Sequence, residues 1–178
     1  MSSFETVLAS ERIYEGRLIN LRVDQIRTAA GVESVREIVE HPGAIALIAL
    51  DDAGRVLLVK QYRHAVRTVT LEIPAGILEL GEEPAAAAQR ELREETGYRA
   101  ERLERLGGIH TAPGFSTEYI HFFMATRLVL DRLAMDDDEV IDLLRLPLAD
   151  AIDLIRAGQI DDGKTVSGLL LAQAWLNK

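Results

Sequence analysis

The sequence predicts an α/β sandwich preceded by a small N-terminal antiparallel β appendage. Residues 44–50, AIALIAL, form a continuous apolar run, the pattern of a strand buried on both faces. Beyond that run, strand-like segments are interspersed with three stretches of helical character. At His41-Pro42-Gly43 the texture changes from short alternating strands to that solid run, which sets residues 1–42 apart as a β segment and 43–178 as the main domain.

In the first segment, residues 11–14, 18–26 and 32–40 read as strands, with Ile19, Leu21 and Val23 alternating and Ala29-Ala30-Gly31 forming a turn. After the 44–50 strand, Asp51-Asp52-Ala53-Gly54 is a turn leading into 56–62, which predicts a hairpin. Residues 69–73 make a further strand, and Pro74-Ala75-Gly76 opens a loop. A helix starts at Pro84 and stops at Gly97, proline inside the start and glycine past the end. Strands follow near 103–108, 118–126 and 140–146. Helices over 148–157, halted by Gly158, and 164–176 close the chain.

Lys and Arg total 20 against 29 acidic residues, a net charge of −9. That balance argues against nucleic-acid or anionic-membrane partners, which need a basic footprint. With no cysteine, disulfides and thiolate metal sites are excluded. The N-terminus lacks a basic region followed by an apolar one, and no apolar stretch is long enough to cross a bilayer, so a cytoplasmic protein is expected.

The 84–97 helix carries Glu91, Glu94 and Glu95 on one side. Glu91 and Glu95 are one turn apart, about 6 Å along the axis. Ala85, Ala88 and Leu92 define a stripe predicted to face a core, with Glu95 at its edge. Two readings account for the cluster. Arg90 with Glu94, or Arg93 with Gln89, would make ordinary solvated pairs. Alternatively a cation holds the carboxylates, and hard oxygen ligands select Mg²⁺ or Mn²⁺.

Other motifs carry less. Gly158 to Thr165 matches the P-loop expression, but a helix precedes it, and Asp161 and Asp162 would stand where phosphates must sit, so it reads as a helix cap plus turn. His41, His64, His110 and His121 show no paired metal spacing, and Gly114-Phe115-Ser116 is no serine-hydrolase elbow. The acidic run at 135–139, taken alone, is a solvated loop.

The segment from Gly76 to Tyr98 decides between the readings of the glutamate helix. Gly76, Glu82, Arg90, Glu91, Leu92, Glu94, Glu95 and Gly97 occupy every fixed place of G-x5-E-x7-R-E-U-x-E-E-x-G-U, where U is a bulky apolar residue. Only Tyr98 departs, being aromatic where an aliphatic is usual. The chain thus resembles Nudix hydrolases, which cleave a nucleoside diphosphate linked to another moiety in a divalent-metal-dependent reaction. Covering about residue 42 to the C-terminus, the resemblance implies a mixed sheet between helices.

Several features outside this box are similar to the ADP-ribose pyrophosphatase branch: Pro113, 15 residues beyond Tyr98, the loop around it, Leu71-Glu72-Ile73-Pro74-Ala75-Gly76, and Gln61-Tyr62-Arg63. The resemblance implies metal ligation by Glu91, Glu95 and the Ala75 carbonyl, with Glu94 available to a further ion. Arg63 would hold a phosphate, a task suited to its rigid fork of donors. Arg17, Arg36 and Glu37 would contact ADP-ribose. Pro113 and Gly114 would form the substrate loop, with Glu118 near the terminal ribose. Glu82 would pair with Arg90 as structure. The catalytic carboxylates would be Glu94 and those of the acidic loop, with either Asp137 or Glu139 as general base; Glu139 would also serve the metal. The implied reaction is hydrolysis of ADP-ribose to AMP and ribose 5-phosphate, by a homodimer exchanging its N-terminal β segment. The runners-up are another nucleoside diphosphate sugar, such as a GDP sugar, and a non-catalytic module that binds ADP-ribose.

Overall fold

The structure is a computed structural model that describes residues 4–134 and 142–177. The chain forms two compact units: Met1–Gly43 together with His110–Tyr119, and Ala44–Ile109 together with Ile120–Lys178. The loop around Pro113, which the sequence assigns to the main domain, therefore groups with the N-terminal segment.

In the first unit β1 (Glu5–Glu15), β2 (Asn20–Thr28) and β3 (Glu33–Glu40) form an antiparallel sheet in that order. Gly31 turns the chain with φ 81°, a left-handed conformation that suits glycine. Around it the Thr28 N–H donates to the Val32 carbonyl at 2.9 Å. β1 is longer than the 11–14 expected because it pairs along the whole of β2, with irregularities at Val7/Ala9 and Arg12/Tyr14. Every β1 residue is exposed, so no buried face imposes the alternation by which a strand is recognised.

The second unit contains two sheets. β7 (Ala75–Ile77), β4 (Ala44–Ala49), β9 (Tyr119–Leu130) and β8 (Tyr98–His110) make a mixed sheet in that order, with β4 antiparallel to β7 and parallel to β9. β10 (Asp142–Pro147), β5 (Arg55–Arg63) and β6 (Thr68–Glu72) form an antiparallel sheet. The expected hairpin between β4 and β5 is one bridge deep, Leu50 to Val56, after which each strand joins a different sheet. The Asp51 carboxylate shapes that turn, accepting from the Ala53 and Arg55 amides at 3.0 and 2.9 Å.

β4 is buried on both faces, as its apolar run predicts. Ala44, Ala46, Ile48 and Leu50 join one core with Ala151 and Ile152 of α2 (Leu148–Arg156) and Leu169 and Ala172 of α3 (Gly163–Leu176). Ile45, Leu47 and Ala49 join the other, with Ala87, Ala88 and Leu92 of α1 (Pro84–Thr96). Helices thus cover this strand from both sides, the arrangement of an α/β/α sandwich. No described helix is long and apolar enough to cross a membrane.

α1 begins at Pro84 and ends where Gly97 turns left-handed, φ 76°, its N–H donating to the Arg93 carbonyl at 3.1 Å. Its buried residues are Ala87, Ala88, Leu92, Glu95 and Thr96. Ala85, expected in that stripe, is exposed: it has the right angle but lies on the first turn, ahead of the packed part of the helix.

Candidate active site

Gly76 lies in β7 directly against α1. A Cβ at this position would stand 1.8 Å from Glu91 Oε1, so only glycine leaves room for the Glu91 carboxylate over the strand. One helical turn on, Glu95 is 7% exposed, and its Oε2 accepts the Ala75 N–H at 3.0 Å. A carboxylate in the last turn of a helix is opposed by the helix dipole, and that amide supplies compensation from outside the helix.

Arg90 binds the remaining carboxylates together. Its Nε and Nη2 donate to Glu82 at 3.0 and 2.9 Å, and its Nη1 to Glu91 at 2.6 Å and Glu94 at 3.1 Å. The bonds to Glu82 raise the Arg90 pKa, with smaller help from Glu91. Conversely, the Arg90 guanidinium holds the Glu82 carboxyl below the usual carboxylate range, against the upward push of burial. The Arg90–Glu94 pair read from the sequence is therefore present. The Arg93–Gln89 pair is not: Arg93 reaches Asp131 at 3.1 Å, while the Gln89 amide brackets the Ala100 backbone at 2.7 and 3.1 Å.

Among the described residues no three acidic or histidine side chains stand in a ready-made metal cluster. The donor set nevertheless fits a hard divalent cation. Glu91 and Glu94 converge on one positive group, Nη1 of Arg90, and the carbonyl-bearing Ala75 adjoins Glu95. Glu91, Glu94, Glu95 and Ala75 would hold the ion. Asp137 and Glu139 lie outside the described residues.

Arg63, at the end of β5, makes a two-pronged pair with Glu72 of β6, Nε and Nη2 donating at 2.8 and 2.6 Å. Lys164 at the start of α3 donates to the same carboxylate and, at 3.0 Å, to Asp162. Burial by itself pushes the Glu72 carboxyl up; the bonds from Arg63, Lys164 and Thr70 outweigh it and hold the pKa at about 2. The sequence gives neither Glu72 nor Lys164 a role beside Arg63. Lys164 lay in the P-loop-like string, which the structure resolves into a cap: Asp162 accepts the Thr165 amide at 3.0 Å and its hydroxyl at 2.6 Å.

In the first unit, the loop after β8 is tied to the end of β3. The Val39 amide donates to the Phe115 carbonyl at 2.7 Å and the Thr117 amide to the Val39 carbonyl at 3.0 Å. Within this loop Pro113 and Gly114 are exposed, and Glu118 accepts the Thr111 hydroxyl at 2.7 Å. Arg36 and Glu37 follow one another on β3, so their side chains leave opposite faces. Arg36 reaches Glu5 at 2.5 Å, and Arg17 is exposed in the turn between β1 and β2.

The NUDIX domain model matches residues 39–168, and that of the nucleoside diphosphate sugar hydrolase N-terminal domain matches 5–39. The chain belongs to the Nudix family. Among its relatives, an ADP-ribose pyrophosphatase of Bacillus subtilis (strain 168) is 40% identical over 171 residues, 95% of this chain and 92% of the relative. A GDP-mannose pyrophosphatase of Yersinia enterocolitica is 37% identical over 153 residues, 80% and 79% of the two chains. The crystal structure of an ADP compounds hydrolase superposes with a TM-score of 0.88 at 27% identity, covering 98% of this Nudix chain and 95% of that one. Nudix hydrolases generally require a divalent metal, in keeping with the carboxylates of α1.

Proposed function

We propose that this Nudix hydrolase cleaves ADP-ribose to AMP and ribose 5-phosphate with Mg²⁺, as a cytoplasmic homodimer. The observation that carries the reading is the α1 face, where Glu91 and Glu94 already surround a cationic group and Glu95 is held at Ala75. A divalent cation, when bound there, neutralises the diphosphate and lowers the pKa of an attacking water. Arg63 would bind a phosphate oxygen with the N–H groups it does not spend on Glu72. Arg17, Arg36, Glu37, Pro113, Gly114 and Glu118 would recognise the adenosine and the terminal ribose, and Asp137 or Glu139 would take the water's proton.

The dimer reading is supported by β1, where Val7, Ile13 and Tyr14 are each more than half exposed, with Phe4 beside them. A monomeric protein seldom leaves such a band uncovered. The β segment would be exchanged between subunits and help to build the adenosine site. Sedimentation of a monomer at assay concentration rules this out.

The second reading, a GDP sugar as substrate, is favoured by the GDP-mannose pyrophosphatase relative. Product analysis with Mg²⁺ on ADP-ribose, GDP-mannose, dinucleotides and nucleoside triphosphates decides. Faster turnover of ADP-ribose to AMP is expected. Preference for GDP-mannose replaces the substrate, and tight ADP-ribose binding with no turnover of any compound makes the chain a binding module.

A further inference from the structure

Glu72 is the most enclosed charged side chain among the described residues, 2% exposed, and it is the last residue of β6, with apolar Leu71 and Ile73 on either side in the chain. An apolar residue at such a position is commonly as stabilising as a buried ion pair, so the carboxylate calls for a reason other than packing. Its bonds supply one. Both oxygens take the edge of the Arg63 guanidinium, at 2.8 and 2.6 Å, and Thr70 and Lys164 complete the shell. Glu72 therefore accepts from four donor groups and is held in one orientation. Arg63 itself is only partly covered, its side chain 40% exposed, and two of its five N–H groups are spent on Glu72.

Charge completes the case. A forked Arg–Glu pair is neutral to an approaching anion, but here Lys164 offsets Glu72. Asp162, which Lys164 also touches, is the N-cap of α3, where the positive end of the helix dipole offsets about half of its charge. Glu72 can thus grip Arg63 while part of the positive charge of Arg63 remains for a ligand. Glu95, a carboxylate of the α1 face, belongs to the same electrostatic neighbourhood as Arg63.

We propose that Glu72, neutralised by Lys164, is a positioning residue that fixes the Arg63 guanidinium edge-on, so that its outward N–H groups meet the substrate diphosphate already oriented. The gain is entropic: an arginine ordered before binding loses less freedom on binding. The proposal rests on the reading that Arg63 binds phosphate.

A double-mutant cycle on the Mg²⁺-loaded full chain tests it, with steady-state kinetics on ADP-ribose, or on whichever nucleoside diphosphate sugar is turned over. Glu72→Gln and Lys164→Met are each expected to raise KM about 10-fold with a smaller change in kcat, and Lys164→Arg to restore KM to within about 2-fold. In an Arg63→Ala background, Glu72→Gln should add less than about 2-fold, since its action passes through Arg63. If Arg63→Ala leaves KM unchanged, the phosphate role of Arg63 falls, and the proposal with it. If Arg63→Ala raises KM but Glu72→Gln does not, or multiplies in full with it, the positioning role alone is overturned. Should Glu72→Gln fail to fold by circular dichroism, Lys164→Met, which retains Glu72, decides through the same cycle.

Discussion

At Gly76 the requirement for glycine is steric and chemical together. The 1.8 Å separation between an added Cβ and Glu91 Oε1 cannot be absorbed without moving the carboxylate. Gly76→Ala should therefore lower kcat/KM about 100-fold, the scale of an ångström-sized misplacement in a site, while the melting temperature moves little. Glu95→Gln tests the other arm. Glutamine keeps an oxygen for the Ala75 amide, so the fold should persist while kcat falls roughly 100-fold, about 2.7 kcal/mol of barrier. Near-normal turnover would remove Glu95 from metal binding. Both residues were legible in the sequence because the box names their identities and spacing. The Arg90 pairs with Glu82 and Glu94 are legible too, whereas the third, with Glu91, and the bond from the Ala75 amide to Glu95 are not, since no spacing rule gives one guanidinium to three acids or a strand amide to a helix carboxylate.

At the scale of elements, punctuation does much of the work. Gly97 ends α1 in a left-handed turn that an alanine adopts at about 1 kcal/mol, and Arg132 Nε lies 3.3 Å from where its Cβ would stand. Gly97→Ala should lower the melting temperature by about 2–4 °C in calorimetry. Asp162 at the N-cap of α3 is a second such point. Its loss frees the Thr165 amide and disturbs the Thr165 hydroxyl, which accepts the Ile73 N–H at 3.0 Å, so Asp162→Ala should cost at least about 1 kcal/mol in urea unfolding. Asp162 shows itself as the N-cap of α3 only in the structure, whereas the proline and glycine that bound α1 are written locally and legible in the sequence. The 44–50 run likewise announced a doubly buried strand. β1 escaped in part because a strand exposed on every residue has no hydrophobic period to display.

For the molecule as a whole, the Glu72 cluster predicts an acid limit. Its carboxyl titrates at about 2 in the folded chain against an ordinary 4.5. A depressed folded value means that the unfolded chain binds the proton more readily. The stabilisation is then complete above about pH 4.5 and lost as the pH falls toward 2, about 3 kcal/mol in all. Urea unfolding between pH 5 and 2.5 should show this loss, and Glu72→Gln should flatten it; a variant curve parallel to the wild type would place the acid sensitivity elsewhere. Chelation of divalent metal should abolish turnover and leave the fold intact, since the α1 carboxylates have protein partners of their own, and added Mg²⁺ should restore it.

What the sequence by itself determined is what short-range rules encode: the glutamate box, the proline and glycine that bound its helix, the doubly apolar β4, and a net charge of −9. Family membership followed from those letters. The tertiary structure decided the pairings that join distant stretches. Lys164 meets Glu72 across 92 positions, Thr117 meets His41 across 76, and residues 110–119 group with the N-terminal unit. The reason is physical. Periodicity and capping are set by neighbours within a turn or two, whereas the partner of a buried carboxylate is chosen by which strands and helices pack beside it, and that is known only once the chain has closed on itself.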